Sequence, residues 1–371
     1  MTRLLASGDH HFDEHSRFDE CIRVHAWIAE RVRVERPDVF LSGGDLFERA
    51  STPRERHAAA DWLSEVAEVC PVVLTRGNHD PRLDAALLGR ISAQHRITVQ
   101  EAAGVHVVGG AAIMAVAWPR KAELVARGGT PGDAIVHLRN IFGGLGAEAE
   151  ATGLPRISLG HFMVDGSMTS TGQPLCGADM AVGLADLALM RAQFGVMAHI
   201  HKPQEFRVAD ADFLYTGSPF RTAFGEMEEK SIVLAEVTTT GAEWRRLPTP
   251  ATRMVHIEAE WTAFGFTGGD RCAAEQEGSE IRLRYRVDAD RRDAARNAAM
   301  AWADELLSFG AASVKLEEVV IASTRARAPA IAAARTLPEK LAAHWEAKGV
   351  VLADERRARA LSKVESLEIA S

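Results

Sequence analysis

The chain has 371 residues, 47% of them hydrophobic and 25% charged; this is too long for one ordinary domain, about right for two, and too apolar for disorder. The net charge of −8 argues mildly against a general polyanion binder, although a local phosphate site built around divalent cations needs no basic surface. Four scattered cysteines without a CxxC pair exclude a disulfide framework, no run approaches the ~18 apolar residues of a membrane span, and "MTRLLASGDHH" is no signal peptide; together these features point to a reducing cytoplasm.

"RLLAS" (Arg3–Ser7) reads as a short buried strand. Phe18, Ile22, Ala29 and Val32 follow a helical stripe up to Arg36–Pro37. "DVFLS" (Asp38–Ser42) is a second strand, and Pro53 to Val69 a second helix with proline in its first turn. "VVLT" (Val72–Thr75) is a third strand. Strands alternating with helices predict an α/β fold with largely parallel pairing. "VHVVGGAAIMAVAW" (Val105–Trp118) reads as two strands around a Gly-Gly turn, followed by a helix from Asp133 to Leu145. "RISLGH" (Arg156–His161) and "FGVMAHIH" (Phe194–His201) are strands running into histidines, and "FLYTGSP", "SIVLAEV" and "EWRRL" continue a strand-rich half to about Leu247. After "PTPAT" come "MVHIEAEW", "EIRLRYRV", a helix from Asp290 to Phe309 and "SVKLEEVVI", a compact α+β unit. Thr324 to Ser371 is helical, with one apolar face on Leu337, Leu341 and Trp345 and another on Leu361, Val364 and Leu367; Gly349 stops the first of these helices and Asp354 caps the second.

The predicted strands end in metal-ligand residue types: Asp9, His10 and His11; Asp45; Asn78, His79 and Asp80; His161; His199 and His201. Ligands of open α/β sheets bind beyond the carboxyl ends of the strands. In extended backbone, residues two apart share a side. Asp9 and His11 can then converge on one ion while His10 points away, and Ile200 turns into the core between His199 and His201. Asp9, His11, Asp45, Asn78, His161, His199 and His201 are too many ligands for one ion but suit two if a carboxylate bridges. A nitrogen–oxygen set without thiolate permits Mn, Fe, Zn or Co.

"GDHH", "GGDLFE", "GNHD", a lone "GH" and "AHIH" resemble the ordered motifs of the calcineurin-like metallophosphoesterases. "LGHFMVDGS", "AHIHKPQ" and "LYTGSPFRTAFGEMEEKSIVLAEV" resemble, within that superfamily, the SbcD-type DNA-repair exonuclease subunit. The likeness covers residues 1 to about 240 well. It implies two packed β-sheets flanked by helices (α/β/β/α) over residues 1–248, a small α+β cap domain over 251–325 and a helical partner-binding segment over 326–371. It implies that Asp9, His11, Asp45 and His201 hold one ion and Asp45, Asn78, His161 and His199 the other, Asp45 bridging. His79 would contact the scissile phosphate and assist the leaving 3′-oxygen, with Asp80 orienting it. The family uses Mn²⁺, pairs with an SMC-like SbcC-type ATPase, forms dimers through catalytic-domain helices, and degrades DNA by 3′→5′ exonuclease and single-strand endonuclease action. The sequence departs from the pattern at Ala198, usually glycine, and at Glu48, where relatives carry Asp or His; Glu48 is a candidate contact to the substrate strand and bears on the exonuclease/endonuclease balance. Other readings are a phosphoesterase of the same superfamily acting on nucleotides or phosphoproteins, and a non-catalytic adaptor with a structural metal site.

Arg76, Arg82 and Arg221 flank the motifs and could hold phosphates, or equally serve as structural ion pairs. Trp118 could stack a base but reads better as a packed strand end. His10 and His25, with the remaining histidines, show no converging partners and read as surface or satisfied core residues. Asp13 and Glu14 could neighbour the site but read better as loop residues after the strand, acids near the helix start at Ser16, and the cysteines as small core residues.

Overall fold

The computed structural model describes residues 1–120, 133–170, 181–269, 277–321 and 329–368. Strands β1 (Thr2–Ser7), β2 (Val39–Ser42), β3 (Val72–Thr75) and β4 (Ile97–Gln100) run parallel in one sheet. Its other edge adds β13 (Ser231–Val237) and β14 (Ala242–Pro248), antiparallel, in the order β14-β13-β1-β2-β3-β4. The second sheet has the order β11-β12-β10-β7-β6-β5, from β5 (Ala103–Val108), β6 (Ala111–Val116), β7 (Arg156–His161), β10 (Phe194–Ala198), β11 (Gln204–Val208) and β12 (Ala211–Tyr215). The short β8 (Met163–Val164) and β9 (Ala181–Val182) pair with each other.

Period-2 alternation explains the layering. Leu5, Phe40, Val72 and Leu74 face α1 (Phe18–Glu35) and α2 (Pro53–Ala67), while Leu4, Ala6, Val39, Leu41 and Val73 face the second sheet. Ala111, Ile113 and Ala115 meet them from the other side; Ala112, Met114 and Val116 turn outward to Leu138, Phe142 and Leu145 of α4 (Asp133–Glu150). A strand covered on both faces reads as an unbroken apolar run, so "VVLT" is found where the sequence predicts it.

Local signals set the ends. Thr52 and Glu55 form a capping box at α2, with Pro53 in the first turn. Gly109 and Gly110, at φ 60 and 74, make the hairpin turn between β5 and β6, a conformation that β-carbons disfavour. The sequence did not announce α3 (Arg82–Leu88), β4 or the four-residue α5 (Leu184–Leu187).

The described chain falls into two compact units, one founded on Met1–His256 and the other comprising Ile257–Arg271, Leu283–Asp304 and Leu316–Ser371. Beyond the two large sheets, β15 (Met254–Thr262), β16 (Gly265–Thr267), β17 (Glu280–Asp288) and β18 (Ser313–Ile321) form a sheet of order β16-β15-β17-β18. Phe266 gathers Trp261, Tyr285 and Trp302 of α6 (Arg292–Ser308) around it at ring distances of 4.8, 5.5 and 5.3 Å. Three helices follow: α7 (Pro329–Ala333), α8 (Leu337–Lys348) and α9 (Asp354–Glu368). Thr336 caps α8 and Gly349, at φ 62, ends it. Asp354 is the first residue of α9 rather than its cap; the Ala353 carbonyl receives the first amide bonds. No residue of α8 is buried, and Leu341, Trp345, Leu361 and Val364 are half-buried. Cys21 and Cys70 are buried as expected; Cys176, Cys272 and the side chain of Leu367 lie outside the described residues.

Candidate metal centre

The parallel strands deliver their carboxyl ends together: Ser7 pairs with Ser42, and Ala198 with His161. Beyond those ends the backbone is not extended. Asp9, His11, Asp45 and His199 have φ of 53, 43, 49 and 100, left-handed values that cost an L-residue roughly 1–2 kcal/mol. Strand alternation therefore does not explain how Asp9 and His11 converge, contrary to expectation. Main-chain bonds between two loops do: Asp9 N–H donates to Gly44 O, and His10 and His11 N–H both donate to Asp45 O.

The arrangement leaves room for few β-carbons. A methyl at Gly77 would stand 2.0 Å from an Asp45 oxygen. One at Gly8 or Gly43 would stand 2.6 or 2.4 Å from the Ala198 methyl.

Among the described residues two donor groups result. Asp9, His11 and His201 form one, and Asp45, His161 and His199 the other; within each, the ligand atoms all lie within 4.8 Å of one another. The Asn78 side-chain oxygen joins the second group, 2.9 Å from both His161 Nε2 and His199 Nδ1. The His199 amide donates to Asp9 at 2.9 Å and so ties the groups together. His199 and His201 thus serve different groups, and Ile200 between them is buried in the core as expected.

The rear partners show what the groups can hold. His161 Nδ1 lies 2.8 Å from the Gly43 carbonyl, which can only accept, so the proton is on Nδ1. Its Nε2 lone pair then faces two acceptors, Asn78 Oδ1 and, at 3.2 Å, Asp45 Oδ2. His11 Nδ1 sits 2.8 Å from a Glu48 oxygen and His201 Nδ1 3.1 Å from Glu226 Oε1. With protons there, the facing Nε2 atoms of His11 and His201, 3.0 Å apart, are two lone pairs. Positive charge between them relieves the conflict. At His161 burial alone would lower the pKa, but the buried Asp45 carboxylate outweighs it and raises the value to about 9. Convergent nitrogen and oxygen lone pairs without thiolate fit divalent cations.

His79 stands at the edge of the groups. Its amide donates to Asp45 Oδ1 at 2.9 Å and its Nδ1–H to the Glu48 carbonyl at 2.8 Å, which leaves Nε2 as the ring's second nitrogen. His79, His11, His201, Glu48, Arg49, Asp13, Ser16, Phe220 and Thr222 line a cavity of about 330 Å³.

Four expectations need correction. Asp80 does not orient His79 by hydrogen bonding: its oxygens accept the Phe47 and Gly77 amides, so it clamps the two metal-motif loops. Arg221 is not a phosphate clamp, because its guanidinium donates to the carbonyls of Glu226, Thr252 and Glu228. Arg76 is buried, at 1% exposure, and donates to the Gly77 carbonyl. His10 and His25 are satisfied core histidines, as expected, but they do have converging partners, namely each other. His25 Nδ1–H donates to the Cys21 carbonyl (2.7 Å), His10 Nδ1–H to His25 Nε2 (2.9 Å), and Ser42 Oγ–H to His10 Nε2 (3.0 Å). Each tautomer is fixed by the next partner.

Glu226, Lys230, Thr222 and Arg49 were missed. Arg49 pairs with Asp13 at 2.6 Å on the cavity wall; the same Asp13 oxygen accepts the His15 amide at 3.0 Å, a loop role beside the site. Trp118 packs its ring 4.6 Å from that of His199.

Residues 2–162 match the family model of the calcineurin-like phosphoesterases. That model describes metal-dependent phosphoester hydrolases, and the two sheets with their outer helices are consistent with the calcineurin-like α/β/β/α fold. Among solved structures, the chain is similar to the protein TT1561 of Thermus thermophilus (12% identity, 66% of this chain and 98% of that one, TM-score 0.40). It is also similar to GAP50, the anchor in the inner membrane complex of Plasmodium (16%, 67% and 84%, TM-score 0.44). A third is a predicted phosphoesterase of Streptococcus pneumoniae (12%, 66% and 98%, TM-score 0.28). Among the described residues no helix is long and apolar enough to cross a membrane.

Proposed function

We propose that the protein is a cytoplasmic DNA nuclease, the nuclease subunit of an SbcCD-like end-processing complex, with 3′→5′ exonuclease and single-strand endonuclease activity. The observation that carries this reading is the pair of donor groups with His79 beside them. Asp9, His11, Asp45 and His201 would hold one ion and Asp45, Asn78, His161 and His199 the other, most simply two Mn²⁺. Bound there, two such ions activate water and neutralise the charge that develops on phosphorus oxygens. The protein supplies the rest. The Glu48 carbonyl fixes His79 with Nδ1–H rearward. A proton on Nε2 can then be donated to the departing 3′-oxygen. Asp80 keeps the loops of Asp45 and Asn78 in register through its two amide bonds. Glu48, read from sequence as a substrate contact, acts on His11 through its carboxylate.

The half-buried apolar faces of α8 and α9 support a partner-binding role for the tail, the partner being an SMC-like SbcC-type ATPase. A second copy of the chain could join through catalytic-domain helices. Incubation with DNA of defined ends and a panel of divalent metals tests the core of the reading. Mn²⁺-dependent release of mononucleotides from 3′ ends is expected. Cleavage of free nucleotides or phosphopeptides, with DNA left intact, would overturn it. Deleting residues 331–371 should keep single-strand cutting and remove co-purification with the ATPase; an unfolded product would mean that the tail belongs to the protein's own core.

A further inference from the structure

Behind His201 lies a buried polar network. Glu226 Oε1 is 3.1 Å from His201 Nδ1 and accepts the Thr222 hydroxyl at 2.6 Å. Glu226 Oε2 accepts Lys230 Nζ at 2.5 Å and Ser218 Oγ–H at 3.2 Å. Lys230, 1% exposed, also donates to the His201 carbonyl and to Glu228. Arg221 holds the loop by the carbonyls of Glu226 and Glu228. A buried ion pair is a weak device for stability, since apolar residues of the same volume often serve a fold as well. A carboxylate behind an imidazole has another use: it fixes the tautomer, aims the second nitrogen and raises its basicity.

We infer that Glu226 is a positioning residue that sets the affinity of the Asp9–His11–His201 group for its divalent cation by holding His201 with Nε2 forward. The inference rests on reading those three residues as ligands. Thr222 holds the relevant Glu226 oxygen in place, and Lys230 balances the buried charge.

Calorimetric titration of the full chain with Mn²⁺, without substrate, tests it. Two binding events are expected. Glu226→Gln should weaken one of them about 10–100-fold and leave the other, with anomalous scattering placing the loss at His201. Glutamine can still accept the Nδ1 proton, so Glu226→Leu should weaken that event further. Lys230 keeps Glu228 in the glutamine variant and is not stranded. Thr222→Val, which leaves every charge in place, should shift the same event in the same direction by a smaller factor. The inference is overturned if Glu226→Gln, or Thr222→Val should the former not fold, binds Mn²⁺ like the parent while His201→Ala loses one event. If His201→Ala also keeps both events, the ligand reading itself has failed, a distinct result.

Discussion

The two donor groups are supported from behind by different materials. His11 and His201 lean on side chains, Glu48 and Glu226. His161 leans on main chain, the Gly43 carbonyl, and Asp45 takes the main-chain amide of His79. A side-chain support can be altered by one substitution without moving the backbone. A carbonyl cannot be mutated away. The histidines His11 and His201 of the first group are therefore tunable from behind, whereas His161 and Asp45 of the second take their nearest support from main chain.

Asp45→Ala should have the largest effect and cut across this division. A shared carboxylate would take both ions and all activity with it, as Mn²⁺ titration would report; two undiminished binding events would mean that the groups share no bridge. His79→Ala comes next. Cleavage should fall about 10²–10⁴-fold, the range of general-acid assistance, with both ions retained. An emptied site in anomalous maps would make His79 a ligand and redraw the second group. Glu48→Gln should act more mildly, changing the ratio of exonuclease to endonuclease products on linear and hairpin DNA while both ions remain bound. If neither ratio nor Mn²⁺ affinity moves, side-chain support at His11 is without consequence. Ser42→Ala should have the smallest effect. It strands the buried His10 Nε2 acceptor and should cost about 1–3 kcal/mol in denaturant unfolding with metal binding untouched; altered metal stoichiometry would extend the side-chain support to the Asp9–His11 loop.

Much of this was legible in the residues. Val72–Thr75 reads as a strand because both of its faces are covered, and Gly349 reads as a helix stop because only glycine enters that conformation cheaply. α3 and β4 escaped notice because each is short and β4, an edge strand, is only partly buried. The donor residues were visible as types ending strands, but not the left-handed backbone that turns them together. Spacing alone places His199 and His201 alike; the resemblance assigned them to different ions, and the fold sends them to different groups. Glu226 stands in an acidic stretch beside Glu228 and Glu229; only its burial and its contact with His201 single it out. Asp80 and Arg221 looked chemical because of their neighbours, and their bonds prove structural because they are spent on main chain.

The Ala198 methyl, close to where Gly8 and Gly43 would place theirs, bears on how this sequence can change. Gly8 and Gly43 have no positive φ, so room alone keeps them glycine. Three strand ends share space for one methyl, and this chain has placed it at 198. Alanine at position 8 or 43 collides in the present background, at 2.6 or 2.4 Å, and overpacking of this kind costs roughly 1–3 kcal/mol. After Ala198→Gly that collision is gone. The effect of each substitution thus depends on which came first, and contacting sites of this kind are the ones whose effects fail to add. The methyl can move from position 198 to 8 or 43 without that collision only if Ala198 loses it first.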